Sequence, residues 1–282
     1  MRPLHPCRRC ERGVTLVELV VVLTIIGLVV SIGATLVTRV VAGQQDNRGR
    51  LTLALSADGA LARMNDELQA ALPNSLRVSH TGSEAWIEWV PVLDAGRYRA
   101  ASDTVAADPG DPLDLDDAGD NGFDVIGAAL TSAPAGSQIV LHNLGQGEAD
   151  AYAGNNRRTG LVLGNAGRHL RFSAAGLLPP ATGTQRFFVV GAPVTLACQA
   201  VAGGFELRRY SGYGWQQVQP ASADSLKGAT RTVLLGGLSD CSASYNTALA
   251  NIGLLNLRLG LADPGSRARM DFLQQIAVDN TP

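Results

Sequence analysis

The sequence predicts an α+β protein in which a long N-terminal helix packs on an antiparallel, β-rich head. Three observations predict it. Leu19–Thr38 is an uncharged apolar run of 20 residues. Ala57, Leu61, Met64, Leu68 and Leu72 recur at three- and four-residue spacing, which is the period of one helix face. After Pro73, short strand-like runs alternate with Gly, Asn and Asp turns, the pattern of an antiparallel β domain. The 282 residues suffice for one or two domains, and a 46% hydrophobic, 17% charged composition excludes a disordered chain.

The first 13 residues carry Arg2, Arg8, Arg9 and Arg12 against Glu11, so the remainder holds 19 basic and 24 acidic groups. A basic flank before an apolar segment stays cytoplasmic. The C-terminal bulk is therefore expected across the membrane, which is the periplasm if the cell is a diderm bacterium. Its mild acidity offers no electrostatic case for nucleic-acid binding.

As a helix the apolar run spans about 30 Å, the hydrocarbon thickness of a bilayer. A secretory signal has an apolar region of about 7–15 residues ending in an A-x-A-like site. Here the run is longer, and the processing-like glycine, Gly13, precedes it. A plain signal-anchor accounts for length and orientation but not for Glu18, an acid at the start of the run. Placing such a group within lipid costs about 2.5–3.5 kcal/mol, so it calls for a partner or a route to the headgroups. Gly27, Ser31 and Ala34 share a face that permits close helix approach, though small residues are also ordinary membrane filler.

The sequence divides into a leader (1–13), a membrane helix (14–41), the extramembrane half of the same helix (42–72) and the head (73–282). Gly43 and Gly49 predict a weak or melted stretch over 42–51. Pro73, with Asn74 and Ser75, ends the helix. The strand-like runs are Ser75–Ser79, Ala85–Val92, Phe123–Ile126, Gln138–His142, Gly160–Leu163, His169–Phe172, Arg186–Val190, Val194–Cys198, Phe205–Tyr210, Thr230–Leu235, Leu254–Leu261 and Ala268–Val278. No second long helix is expected. Trp86 and Trp89 fall on opposite sides of a strand, which predicts one in the core and the other at a rim or subunit contact.

Cys7 and Cys10 form a C-x-x-C with only His5 nearby, short of the four ligands of a structural zinc site. Cys198 and Cys241 lie in the exported part, where a disulfide can form, with two free thiols as the alternative. The run from Asp108 to Asp124 holds seven aspartates and three glycines. Oxygen ligands in a bent loop suit Ca²⁺, but the EF-hand order is absent. A solvated loop of Asx turns is the simpler expectation. His80, His142 and His169 are scattered, and no G-x-S-x-G, S-x-x-K, H-E-x-x-H or Walker A pattern occurs. No catalytic residue, metal or cofactor is called for.

The residues from Gly13 to Leu19 (G-V-T-L-V-E-L) resemble the cleavage and methylation motif of type IV prepilins and type II secretion pseudopilins. The resemblance implies that prepilin peptidase cuts between Gly13 and Val14 on the cytoplasmic face and methylates the new N-terminus at Val14. The family's usual first residue is Phe, so Val14 is a departure. Glu18 becomes the fifth residue of the mature chain, with the role of neutralising a neighbour's N-terminal ammonium in a filament. Blocks at Leu61–Ser79, Trp86–Arg99, Phe123–Gly127, Leu207–Trp215 and Leu273–Pro282 resemble MshO-type minor pilins of the mannose-sensitive haemagglutinin (MSHA) pilus. This implies a non-enzymatic minor subunit at pilus initiation or tip. Its partners would be prepilin peptidase, other minor and major pilins, the inner membrane and the assembly platform. The alternatives are a minor pseudopilin of type II secretion or a DNA-uptake pilin. For the latter, Arg97 and Arg99, Arg157 and Arg158, and Arg208 and Arg209 are the best candidates for a basic stripe.

Overall fold

A computed structural model of the chain describes residues 14–105, 109–174, 176–180, 183–249, 251–263 and 268–282. Gly13, the C-x-x-C of the leader and Asp108 lie outside the described residues. The architecture is α+β: one helix, α1 (Leu16–Gln69), packed on antiparallel sheets. Among the described residues the other helical segments are single 3₁₀ turns.

The helix does not melt over 42–51, contrary to the glycine-based expectation; α1 runs through Gly43 and Gly49 without a break. Two glycines cost about 1 kcal/mol each, but helix on both sides removes any need for a new nucleus. Gln44, Gln45, Arg48 and Arg50 are good helix formers between and beside them. Ala70 caps the end, and residues 70–72 turn into the sheet: the Leu72 N–H donates to the Val90 carbonyl at 2.8 Å and the Val92 N–H to the Ala70 carbonyl at 2.8 Å.

The strands are β1 (Arg77–Thr81), β2 (Glu84–Trp89), β3 (Val92–Tyr98), β4 (Gly122–Ile126), β5 (Gln138–Leu141), β6 (Arg157–Arg158), β7 (Val162–Gly164), β8 (His169–Arg171), β9 (Arg186–Val190), β10 (Val194–Val201), β11 (Gly204–Ser211), β12 (Thr230–Leu249), β13 (Ile252–Ala262) and β14 (Arg269–Asp279). They form two seven-stranded sheets, ordered β1-β2-β10-β11-β12-β13-β14 and β6-β5-β9-β3-β4-β8-β7. The second sheet is drawn entirely from residues 92–190. It is an insertion between β2 and β10, which are neighbours in the first sheet. The crossing points touch, since the Gly191 N–H donates to the Pro91 carbonyl at 3.0 Å.

The first sheet wraps the helix. Ala57, Ala60, Met64 and Leu68 are buried against Leu196, Leu207, Leu255, Leu257, Leu259, Ile276 and Val278. Curvature is fixed at two points. The Cys198–Cys241 disulfide, with a Cα–Cα distance of 5.7 Å, joins β10 to the part of β12 that runs past the last β11 pair, Phe205 with Leu238. The His80 ring makes a 2.8 Å hydrogen bond to the Ala243 carbonyl, holding β1 to that same segment.

Trp86 and Trp89 point to opposite faces, yet neither is at a rim: both are fully buried. Trp89 joins the helix-side core, and Trp86 packs with Ala197, Tyr210 and Leu226 under the segment that follows β11. That covering segment makes both faces of the sheet interior.

Candidate functional site

The site the sequence points to is the start of α1. Thr15 is its N-cap, in extended conformation, and the Thr15 hydroxyl accepts from the Glu18 N–H at 3.3 Å. Thr15-x-x-Glu18 has capping-box spacing, with the acid at the third helical position. A carboxylate there also faces the positive end of the helix dipole. Sequence reasoning had placed Glu18 but passed over Thr15, although the T-x-x-E signal stands in the chain. The Glu18 backbone N–H is engaged by the cap while its side chain stays exposed.

From Val14 to Val41 every residue is exposed apart from the half-buried Gly33. The exposed side chains are large and apolar: Leu16, Leu23, Ile25, Ile26, Leu28 and Val30 each show more than half their surface. The four hydroxyls between Leu19 and Thr38 are satisfied internally. Thr24, Ser31, Thr35 and Thr38 donate to the carbonyls of Val21, Leu28, Ile32 and Thr35 at 2.8–3.0 Å. Such back-bonding removes the cost of carrying an unpaired hydroxyl into lipid. A Cβ added at Gly27 would meet nothing within 4 Å, so the face of Gly27, Ser31 and Ala34 is open. The helix is long and apolar enough to cross a membrane, with mean hydropathy 2.7 over its most apolar window. Residues 8–34 match the model of the prokaryotic N-terminal methylation motif. That motif supports a place among type IV pilins and pseudopilins, and a single N-terminal anchor in a membrane. No curated protein and no solved structure matches the chain.

The remaining candidates fall in the head. Cys198 and Cys241 form the disulfide described above. In the acidic run, carboxylates turn back on their own loop. Asp114, Asp117 and Asp120 accept from the N–H groups of Asp116, Gly119 and Gly122, and the second oxygen of Asp120 takes the Asp114 N–H. Asp124 accepts from the Asp111 N–H and from the His169 ring at 3.0 Å. These bonds hold the Asp124 carboxyl below its ordinary value against the opposing effect of burial. Among the described residues no group of three or more His, Cys, Asp or Glu side chains is arranged to hold a metal ion.

The arginine pairs do not form a common stripe. Arg208 is bonded to Glu206 and Gln199, and Arg209 to Glu67 of the helix at 2.9 Å. Arg157 lies 3.9 Å over the Trp215 ring, and Arg158 is buried with its guanidinium on the carbonyls of Asn155, Gly176 and Leu177. Arg99 sits 3.6 Å from Asp124.

Proposed function

We propose that the protein is a minor subunit of a type IV, MSHA-like pilus, acting at filament initiation or tip and not as an enzyme. The methylation motif on a helix whose residues 14–41 stand exposed, Gly33 alone excepted, among the described residues carries this reading. Such a surface is stable in only two places, a bilayer or a bundle of like helices. A pilin uses both in turn.

In this reading prepilin peptidase cuts between Gly13 and Val14 and methylates Val14. The leader stays cytoplasmic, the helix spans the inner membrane and the head faces the periplasm before extraction into the filament. Cleavage creates an ammonium at Val14, next to the N-cap. The exposed Glu18 carboxylate of an adjoining subunit neutralises it, so that two groups costly in an apolar core enter it as a pair. Removing one partner of a buried pair costs about 3–5 kcal/mol. Glu18→Val is expected to leave insertion and cleavage intact and to abolish recovery in sheared filaments, measured by immunoblot of membrane and filament fractions. Normal recovery in filaments would overturn the pairing.

A pseudopilin of type II secretion shares this N-terminal chemistry. Purification of the processed protein with its neighbours separates the two, because pilus and secretion subunits differ in identity. For the DNA-uptake reading, the engagement of five of the six candidate arginines argues against a continuous cationic track.

A further inference from the structure

Arg97, the remaining member of those pairs, stands in an arrangement that folding alone does not favour. It lies directly opposite Arg186 across the antiparallel pair β3–β9. Both are exposed and project from the same face of the inserted sheet. Among the described residues neither guanidinium has an ion pair or a hydrogen bond. Directly opposed side chains have Cβ atoms about 5 Å apart, where like charges destabilise a sheet. The two arginines flank a shallow concavity of about 320 Å³ floored by Ala95, Gly96, Phe187 and Phe188. Beneath that floor the fully buried Phe187 ring packs so closely under Gly96, on the core face, that a Cβ there would sit 2.8 Å from it.

The surroundings indicate what would bind. Ile126 is the cross-strand neighbour of Arg97 on its other side and is 44% exposed, and Leu93 on β3 is 45% exposed. Two unpaired guanidinium groups between exposed aliphatic residues make a typical anchor for a protein contact, where arginine and apolar groups are enriched. The lining offers no amide or hydroxyl side chain for sugar hydroxyls, and two cations make no track for a nucleic-acid backbone. We propose that Arg97 and Arg186 form a docking site on the inserted sheet for an extended acidic segment of an adjoining subunit. A carboxylate set between the two forks accepts charge-assisted bonds from both, and aliphatic residues beside it cover Leu93 and Ile126. That the donor is another subunit rests on the filament reading; the carboxylate site itself does not.

The test uses the full chain in non-ionic detergent. Calorimetric titration with an alternating leucine–aspartate pentapeptide is expected to show binding, and the leucine–asparagine counterpart none. Arg97→Glu or Arg186→Glu should weaken the acidic peptide by at least about tenfold. In the unliganded protein Arg186→Thr should raise the unfolding midpoint by about 1–3 °C, since it relieves the opposed charges. Equal binding by the wild type and both variants would overturn the site. Inorganic sulfate binding as tightly as the peptide would replace it with a small-anion site, and tighter binding of a single-stranded oligonucleotide would replace the protein partner. A lowered midpoint in Arg186→Thr would show Arg186 serving its own fold, against the proposal.

Discussion

Glu88 is fully buried, yet it is placed to carry charge. Its carboxylate takes the Arg77 Nε at 2.6 Å and the Tyr213 hydroxyl at 2.7 Å. Arg77 in turn donates to the carbonyls of Gln216 and Gln217 and lies 3.6 Å over the Tyr152 ring. This network clamps the segment after β11 over Trp86 and ties it to the inserted sheet. Burial raises the Glu88 carboxyl above its ordinary value of 4.5, with Arg77 opposing. The folded state then holds the proton more tightly than the unfolded one. The stability this adds is complete below 4.5 and is lost as pH rises through the raised folded value. Glu88→Gln should abolish that pH dependence. At pH 7 it should also cost about 3 kcal/mol, because it leaves Arg77 without its counter-charge in a half-buried site. Denaturant curves from pH 4 to pH 8 measure both effects, and an unchanged pH profile in the variant would contradict the assignment. No sequence pattern announced this residue. Glu88 lies between two tryptophans in a strand, and the segment that buries it comes more than a hundred residues later. Glu18, by contrast, stands out in the sequence because its neighbours in sequence are also its surroundings.

Among the elements, the helix was legible along almost its whole length and the long hairpin strand was not. The stripe from Ala57 to Leu68 marked the buried face of α1 because helical period depends only on nearby residues. The glycines at 43 and 49 misled for the same reason: local propensity does not register the helix already formed on each side. β12 was expected to stop at Leu235, where Gly236, Gly237 and a run of small polar residues follow. Instead it bends there, with Gly237 at φ +70° and a register shift between Leu238 and Asp240, and continues to Leu249. A bulge with glycine at positive φ is a device for re-aiming a strand. It carries Cys241 and Ala243 over to β10 and β1, contacts that pairing with β11 would exclude. The disulfide then locks a curvature that backbone pairing alone does not impose. With a sequence separation of 43, loop-closure entropy assigns it about 4 kcal/mol. The Cys198→Ala, Cys241→Ala double variant should lose about that much in denaturant unfolding. Reductant should reproduce the loss in the wild type and have no effect on the variant. An unchanged midpoint on reduction would mean that the sheet holds its curl without the bond.

At the scale of the whole molecule, chain order separates two tasks. The helix, β1, β2 and β10–β14 enclose one core, whereas residues 92–190 build the second sheet around their own, centred on Phe123, Phe187 and Leu170. The sequence showed many strands but not two sheets, because the breaks between β2 and β3, at Pro91, and between β9 and β10, at Gly191, Ala192 and Pro193, look like any other short turn. The break is set by pairing partners, which no local pattern encodes. Since the chain leaves and returns at touching points, the inserted sheet should be removable. Replacing residues 93–189 by a short glycine-containing turn joins Val92 to Val190, which are already paired. The apolar loss is cover over Leu72 and Val90, which pack on Val140, Ala151 and Tyr152; with it go the Tyr152 contacts to Arg77, Ser75 and Trp215 and the Asn143 bonds to Pro73 and Asn74. Exposing two such side chains costs about 3–6 kcal/mol, within the 5–15 kcal/mol typical of a domain. Hydrogen exchange should therefore show β10–β14 still protected in the shortened protein, and Cys198–Cys241 still formed. If protection of β10–β14 collapses, the two sheets fold as one unit. If it persists, the helix and first sheet fold without the inserted sheet, and the docking site proposed at Arg97 and Arg186 belongs to a module that this core does not need.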